Sequence, residues 1–524
     1  MTGLFHGTWW NQHQDHKLGD LMAGRFTRLL REDTDPVDGR GLQELAGRMT
    51  SHQEEPGPTP EGRPDAEEDS QITAAYTYLG QFTDHDITFD PTSRLRESRT
   101  PAELDALVDF RTPRFDLDNL YGRGPDDQPY LYQDGIHMLL GEPMSGNPFD
   151  PEARQIPRGP NGRALIGDPR NDENRIVAQL HAMFLRFHNQ VADHLGRQQE
   201  KVTFDEVRNQ VRWHYQWMLV TDFLPKVVNG ETYQKIFADR YDPTPNLPGL
   251  EGGRLKLMPV EFSVAAFRFG HSMIRPVYRL NTTIERRPIF SPDRDNGSPA
   301  DDAADLGGFR PIPADWAIDW QFFIDLGPGA RPMGPLYDPI AREPQHAYKI
   351  DTSLASPLRL LPHRIASRPS ILALRNLERG RDFQLPSGQA VADALGEPVI
   401  PDDKLMIGKA TADAEQEPLA AIVPAFAGRA PLWAYILSEA QVTSWGDPRP
   451  ASVDNIPIKL GPVGGRIVAG VFAALLRGDP TSYLNTDHIR KGARFEPIAE
   501  FTRHERFGLA ELINVALWPT QTAP

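Results

Sequence analysis

The 524-residue chain has a formal net charge of −16, with 39% hydrophobic and 24% charged residues. That balance suits a folded globular protein, and the acidic surplus weighs against nonspecific binding to nucleic acid or anionic membrane, both of which need basic patches. There is no cysteine, which excludes disulfides, thiolate catalysis, Cys-ligated zinc and iron–sulfur clusters.

The N-terminus, MTGLFHGTWWNQHQDHKLGD, lacks a basic region followed by an apolar one. The longest apolar run, IVAGVFAALL at 467–476, is too short to span a bilayer. The expectation is a cytoplasmic protein with no membrane span. His6, His13 and His16 carry no metal-site geometry and are set aside. Residues 51–70, SHQEEPGPTPEGRPDAEEDS, form a polar loop, so 1–70 reads as an N-terminal arm and 71–524 as one large body.

A helix is expected over 71–89, within which YLGQFTDHDITFD poses a question. Gln81, Asp84, His85 and Thr88 fall at i, i+3, i+4 and i+7, one helical face, with Ala74, Tyr78 and Phe82 beside it. Burying such groups is costly unless something satisfies them. Either the helix end faces solvent or a ligand sits there. Next, GDPRNDEN (167–174) places Arg170 and Glu173 one turn apart. It precedes a helix over 175–198 with apolar residues at Ile176, Leu180, Phe184, Phe187, Val191 and Leu195. Buried helices are expected at Phe204–Leu224, Val264–Ile274 and Arg466–Leu476, the second carrying His271. A second polar loop spans 291–311. LRNLERGRDFQLP (374–386) packs Asn376, Arg379, Arg381 and Asp382 together.

Alternating strand patterns are scarce, and 49 prolines demand irregular structure. The fold class read here is mainly α, a single domain with long loops and little β-structure. Singly, each polar cluster has an ordinary reading: acids near a helix N-terminus, a hydrogen-bonded core histidine at 271, an Arg–Asp network at 379–382.

Together, seven motifs occur in one order: GQFTDHDI, TPRFDLDNLYG, GDPRNDEN, LRFHNQVA, FRFGHSMIRP, RNLERGRDFQLP and GPVGGRIVAGVFAALLRGD. In this order the chain resembles the animal-type haem peroxidases of the peroxidase–cyclooxygenase superfamily, over residues 75–480. The bacterial look of the chain rests on composition alone.

The resemblance implies haem b and a reaction in which hydrogen peroxide oxidises the iron to a ferryl state. A halide, pseudohalide or small organic donor then returns it to rest, as in a response to oxidative stress. It implies His85 as distal base, Arg170 as the catalytic arginine and Gln81 as the residue ordering distal water. It implies His271 as proximal iron ligand, with the Asn376 side-chain carbonyl fixing its tautomer. Arg268 and Arg379 would pair with haem propionates, and Asp84 and Glu173 could form ester links to haem. Asn174 stands where one family member has a methionine that makes a third link, so that link is not expected. A calcium site is implied at Asp86, Thr112, Arg114 (by its carbonyl), Asp116 and Asp118, the last replacing a serine common in mammalian members. His181 and His188 are read as structural.

Two other functions are weighed. A haem-dependent fatty-acid dioxygenase would resemble its relatives in having a tyrosine three residues before the proximal histidine, where this chain has Arg268. A non-catalytic haem-binding sensor would not need the set His85, Arg170 and Gln81.

Overall fold

The computed structural model describes residues 26–30, 39–50, 69–90, 106–248, 258–291, 304–327, 344–363, 368–411, 416–446, 456–488 and 494–518, with a few isolated positions between them. His6, His13, His16, the polar stretch 51–68 and residues 292–303 of the second loop lie outside the described residues. Helices carry most of the regular structure: α1 (Gly39–Arg48), α2 (Ala75–Ile87), α3 (Arg175–Gln198), α4 (Phe204–Met218), α5 (Gly230–Phe237), α6 (Leu372–Asp382), α7 (Gly388–Leu395), α8 (Leu432–Trp445), α9 (Pro462–Gly478) and α10 (Leu509–Leu517). Strands among the described residues form only two-stranded pairs, such as Phe26–Thr27 with Met258–Pro259 and Asp69–Thr73 with His346–Tyr348. The mainly α expectation is met. No described helix is long and apolar enough to cross a membrane.

Helix α3 has the bounds its apolar spacing predicts. Asn174 caps it, its side-chain oxygen accepting from the backbone N–H groups of Ile176 (3.0 Å) and Val177 (2.8 Å). Ile176, Leu180, Phe184, Phe187 and Val191 are fully buried, and α3 packs against α2, α4 and α10. Helix α4 begins with a capping box between Thr203 and Glu206. It widens into a π-turn at Leu219–Phe223 and continues to Val227. Pro225 lies just beyond that turn, and a proline ring crowds the carbonyl four residues back, so a wider turn relieves the clash.

Two expected helices are corrected. The 71–89 segment is helical only from Ala75, because residues 69–73 are a strand and Gln71 has φ +59°. Sheet pairing with 346–348 wins there. The helix needs no side-chain cap, since Ala74 N–H donates to Gln345 O (2.9 Å) and Ala75 N–H to Phe323 O (3.0 Å). Thr88 is extended and caps the C-terminus instead of extending the face.

The 264–274 segment is not an α-helix. A wide π-turn, Glu261–Ala265, runs into a tight 3₁₀ turn, Ala266–His271, with Ala265 at φ −128°, ψ −68° between them. Glu261 anchors this segment. Its fully buried carboxylate accepts from the N–H groups of Leu29 (3.0 Å) and Leu30 (3.1 Å). Residues 26–30 are thereby docked beneath the turn, and α1 packs on α6.

Candidate active site

Helix α2, the turn before α3, the 266–271 turn and α6 enclose a cavity of about 320 Å³. Gln81, Asp84 and His85 reach it from α2, Arg170, Glu173 and Asn174 from the turn at 169–174, and Arg268 and His271 from the 266–271 turn. The sequence separates these groups by as much as 190 positions, and the fold gathers them at one cavity. Thr88 is not in its lining; its hydroxyl turns back to Asp84 Oδ1 (3.1 Å).

His85 is buried, with Nδ1 2.8 Å from Asn171 Oδ1 and Nε2 3.6 Å from Glu173 Oε1. Gln81 donates through Nε2 to that same Glu173 oxygen and accepts at Oε1 from Asn174 Nδ2 (2.9 Å). Burial alone would raise the Glu173 pKa. The neighbouring His85, together with Arg170 and the hydrogen bond from Gln81, outweighs it and holds the group below the ordinary value.

Arg170 spends its Nε and Nη2 on protein. Nη2 donates to Thr88 O (2.6 Å), His85 O (3.1 Å) and Asp168 Oδ2 (2.8 Å), and the guanidinium lies 4.5 Å over the Phe89 ring. Asp168, fully buried, also accepts from Arg111 Nε (3.0 Å). Burial opposes its ionisation, but Arg170 and Arg111 lower its pKa well below the usual range. Arg170 is thus both a wall of the cavity and the tie that holds the end of α2.

On the other element, His271 has Nδ1 2.8 Å from Asn376 Nδ2, while Asn376 Oδ1 accepts from Arg268 Nη1 (3.0 Å). This reverses the carbonyl-to-histidine contact expected from the sequence. The guanidinium of Arg268 takes the amide oxygen as its acceptor, which turns the amide's donor toward the imidazole. Burial, with Arg268 adding to it, lowers the His271 pKa to about 3, so the ring is neutral. Its Nε2 has no protein partner among the described residues.

Arg268 has a second contact, Nε to Ser263 O (3.1 Å). Burial and the neighbouring Arg379 and Arg375 lower its pKa to about 10. Arg375 lines the cavity and was missed by sequence reasoning, although it lies one turn before Arg379 on α6. Arg379 itself is not in the cavity lining and lies 5.4 Å from the Phe383 ring centroid.

Asp86 faces away from the cavity, toward Asp116 and Asp118. The three offer carboxylate oxygens that all lie within 4.8 Å of one another. Both Asp86 oxygens are fully buried and have no hydrogen-bond partner among the described residues. Tyr215 stands close, but its hydroxyl donates to Thr83 Oγ1 (3.2 Å). Thr112 Oγ1 donates to Asp116 Oδ2 (2.7 Å), and Arg111 Nη1 is 3.1 Å from Asp118 Oδ1. Arg114 contributes its backbone N–H to Thr112 O (2.8 Å). Burial, then the charges of Asp116 and Asp118, push the Asp86 pKa up, and burial raises Asp118 to about 7 despite Arg111.

A family model, animal haem peroxidase, matches residues 107–295, which include the 112–118 loop, the 167–174 turn and His271. Over that stretch, about a third of its length, the chain is similar to the animal haem peroxidases. It is 29% identical to dog thyroid peroxidase over 241 residues, 44% of this chain and 22% of that protein. The chain spans about a fifth of the length of the curated relatives it matches first. Its fold is that of peroxidase A from Dictyostelium discoideum (TM-score 0.52, 16% identity, 95% of this chain and 94% of that one). It is also that of a rice fatty acid alpha-dioxygenase (TM-score 0.55, 14% identity, 95% and 80%).

The cavity suits the haem of this peroxidase family. It offers a neutral histidine with a free Nε2, and buried cations crowded enough to depress one another's pKa values, which is the setting an anionic group relieves. The acidic site suits calcium. A fully buried carboxylate with neither oxygen hydrogen-bonded among the described residues, next to two more carboxylates and a threonine hydroxyl, is a hard-oxygen donor set that calcium would satisfy. His188 holds structural bonds to Tyr121 OH (2.9 Å) and Ile136 O (2.8 Å), whereas His181 Nδ1 lies 3.0 Å from Asn171 Nδ2.

Proposed function

We propose that this protein is a haem peroxidase that reduces hydrogen peroxide and oxidises a halide, pseudohalide or small organic donor. The observation that carries the reading is that His85 and His271, from elements far apart in the chain, line one cavity together with Arg170 and Arg268. Bound haem would supply the redox centre for peroxide. The remaining chemistry belongs to side chains.

His271 would ligate the iron through Nε2, its neutrality maintained by burial. Arg268 and Arg375 would hold the propionates, with Arg379, outside the lining, adding positive charge behind them. With a carboxylate on Arg268, Asn376 Oδ1 is released and the amide can turn to accept from His271 Nδ1. His85, with its proton on Nδ1 toward Asn171, keeps a lone pair on Nε2. That nitrogen takes a proton from peroxide and returns it to the departing oxygen. Arg170 keeps Nη1 without a protein partner among the described residues and would place positive charge where negative charge develops. Gln81, fixed between Asn174 and Glu173, orders water beside His85. Arg268, standing where the dioxygenases would have a radical-forming tyrosine, supports the peroxidase reading over that alternative.

The test is His85→Gln in haem-loaded protein. The second-order rate of the reaction with peroxide is expected to fall by about 10²–10⁴-fold, the usual contribution of a general acid–base group, with haem content and Soret band retained. An unchanged rate would remove His85 from the chemistry.

A further inference from the structure

We infer that Asn171 and His181 form a relay that fixes the tautomer of His85. Asn171 Oδ1 lies 2.8 Å from His85 Nδ1, and Asn171 Nδ2 lies 3.0 Å from His181 Nδ1. Asn171 and His181 are both fully buried, so no solvent competes for these contacts. The order of donors follows from the amide. Its oxygen can only accept, so His85 Nδ1 must carry a proton, and its nitrogen can only donate, so His181 Nδ1 must be bare. The proton of His181 therefore sits on Nε2, which is buried without a partner among the described residues.

The amide is held at both ends. Asn171 sits in the 3₁₀ turn at Pro169–Asp172, with its N–H on Asp168 O (3.1 Å). His181 stands on α3, with its ring in a T-shaped contact with Phe82 at 5.9 Å, and Phe82 stacks on Phe184 at 4.4 Å. Burial holds the His181 pKa to about 3, so His181 stays neutral and remains an acceptor.

The consequence reaches the cavity. With the proton on Nδ1, the only basic atom of His85 is Nε2, on the cavity side. If the amide were reversed, His85 would carry its proton on Nε2, toward Glu173, and could not take one from a ligand. Asn171 and His181 are thus positioning residues. Their use in turnover rests on the peroxidase reading, but their geometry does not.

The tautomers are read directly by two-bond ¹⁵N–¹H correlation on ¹⁵N-histidine-labelled full-length protein, with and without diamagnetic zinc protoporphyrin. Loss of one signal set in His85→Gln and of another in His181→Phe assigns the two rings. The expected result is Nδ1–H at His85 and Nε2–H at His181 in the unmodified protein. A mixture of tautomers at His85 is expected in Asn171→Leu and in His181→Phe. Asn171→Asp, which keeps an oxygen toward His85, should restore Nδ1–H. Nε2–H at His85 in the unmodified protein overturns the relay, and so does an unchanged His85 signal in Asn171→Leu. If the tautomers are as expected and Asn171→Leu, loaded with haem, reacts with peroxide at the unmodified rate, the positioning role is lost while the geometry stands. Absence of peroxide turnover in the unmodified holoprotein would instead overturn the peroxidase reading, leaving the tautomer result intact.

Discussion

At the scale of single residues, Glu173 raises a conflict. Its carboxylate is ionised and 3.6 Å from His85 Nε2, so as a free acid it would compete for the proton that the proposed mechanism assigns to His85. Esterification would remove that charge and leave Gln81 as a neutral donor beside His85. Asp84, one turn away on α2, has Thr88 as its hydroxyl donor (3.1 Å) and also reaches the cavity. We predict that, after peroxide treatment of the haem-loaded protein, acid–acetone extraction leaves haem on the polypeptide, and less of it in Glu173→Gln. Complete extraction from the unmodified protein would refute both links. The residues carrying this argument were legible in the sequence because motif and residue type name them. Asn171 and Arg375 were not. The partners of Asn171 lie on two different helices, a contact no local pattern records, and Arg375 reads as one more surface cation until α6 is placed against the cavity.

Elements were legible wherever apolar spacing and a cap agreed, as in α3. They were not where tertiary pairing took over, as in the strand that replaces the start of the 71–89 helix, or in the 261–271 segment. There, apolar spacing could not report a switch from a wide turn to a tight one. Asn174 is the residue on which element and site meet. Its Oδ1 caps α3 through two N–H groups, and its Nδ2 holds Gln81. Asn174→Ala should cost about 1 kcal/mol of stability through the cap, read from chemical denaturation. Asn174→Ser, whose hydroxyl can cap but is too short to hold Gln81 as well, should recover most of that stability. Indistinguishable stabilities for the alanine form and the parent would show that the cap is dispensable.

For the whole molecule, the acidic site joins the 112–118 loop to the helix that carries His85, and its carboxylates couple the fold to pH. Asp118 titrates near 7 in the folded chain against 3.8 in its ordinary state, raised chiefly by burial, and Asp86 is raised as well. Between those values the folded, metal-free protein holds protons that the unfolded chain has released. For Asp118, stability therefore falls as pH rises from about 4 toward 7, by up to about 1.4 kcal/mol per unit, and then levels, while Asp86 adds a fall of the same sign. Calcium at this site would bind the deprotonated set and would have to displace those protons. The rise in melting temperature on adding calcium, measured by calorimetry against a chelator-treated sample, should be small at pH 5 and larger at pH 8, as Asp118 and Asp86 give up their protons. An equal shift at pH 5 and pH 8 would mean that the stabilising ion is bound elsewhere. No shift at any pH would leave the buried, unsatisfied Asp86 to be explained by its own protonation.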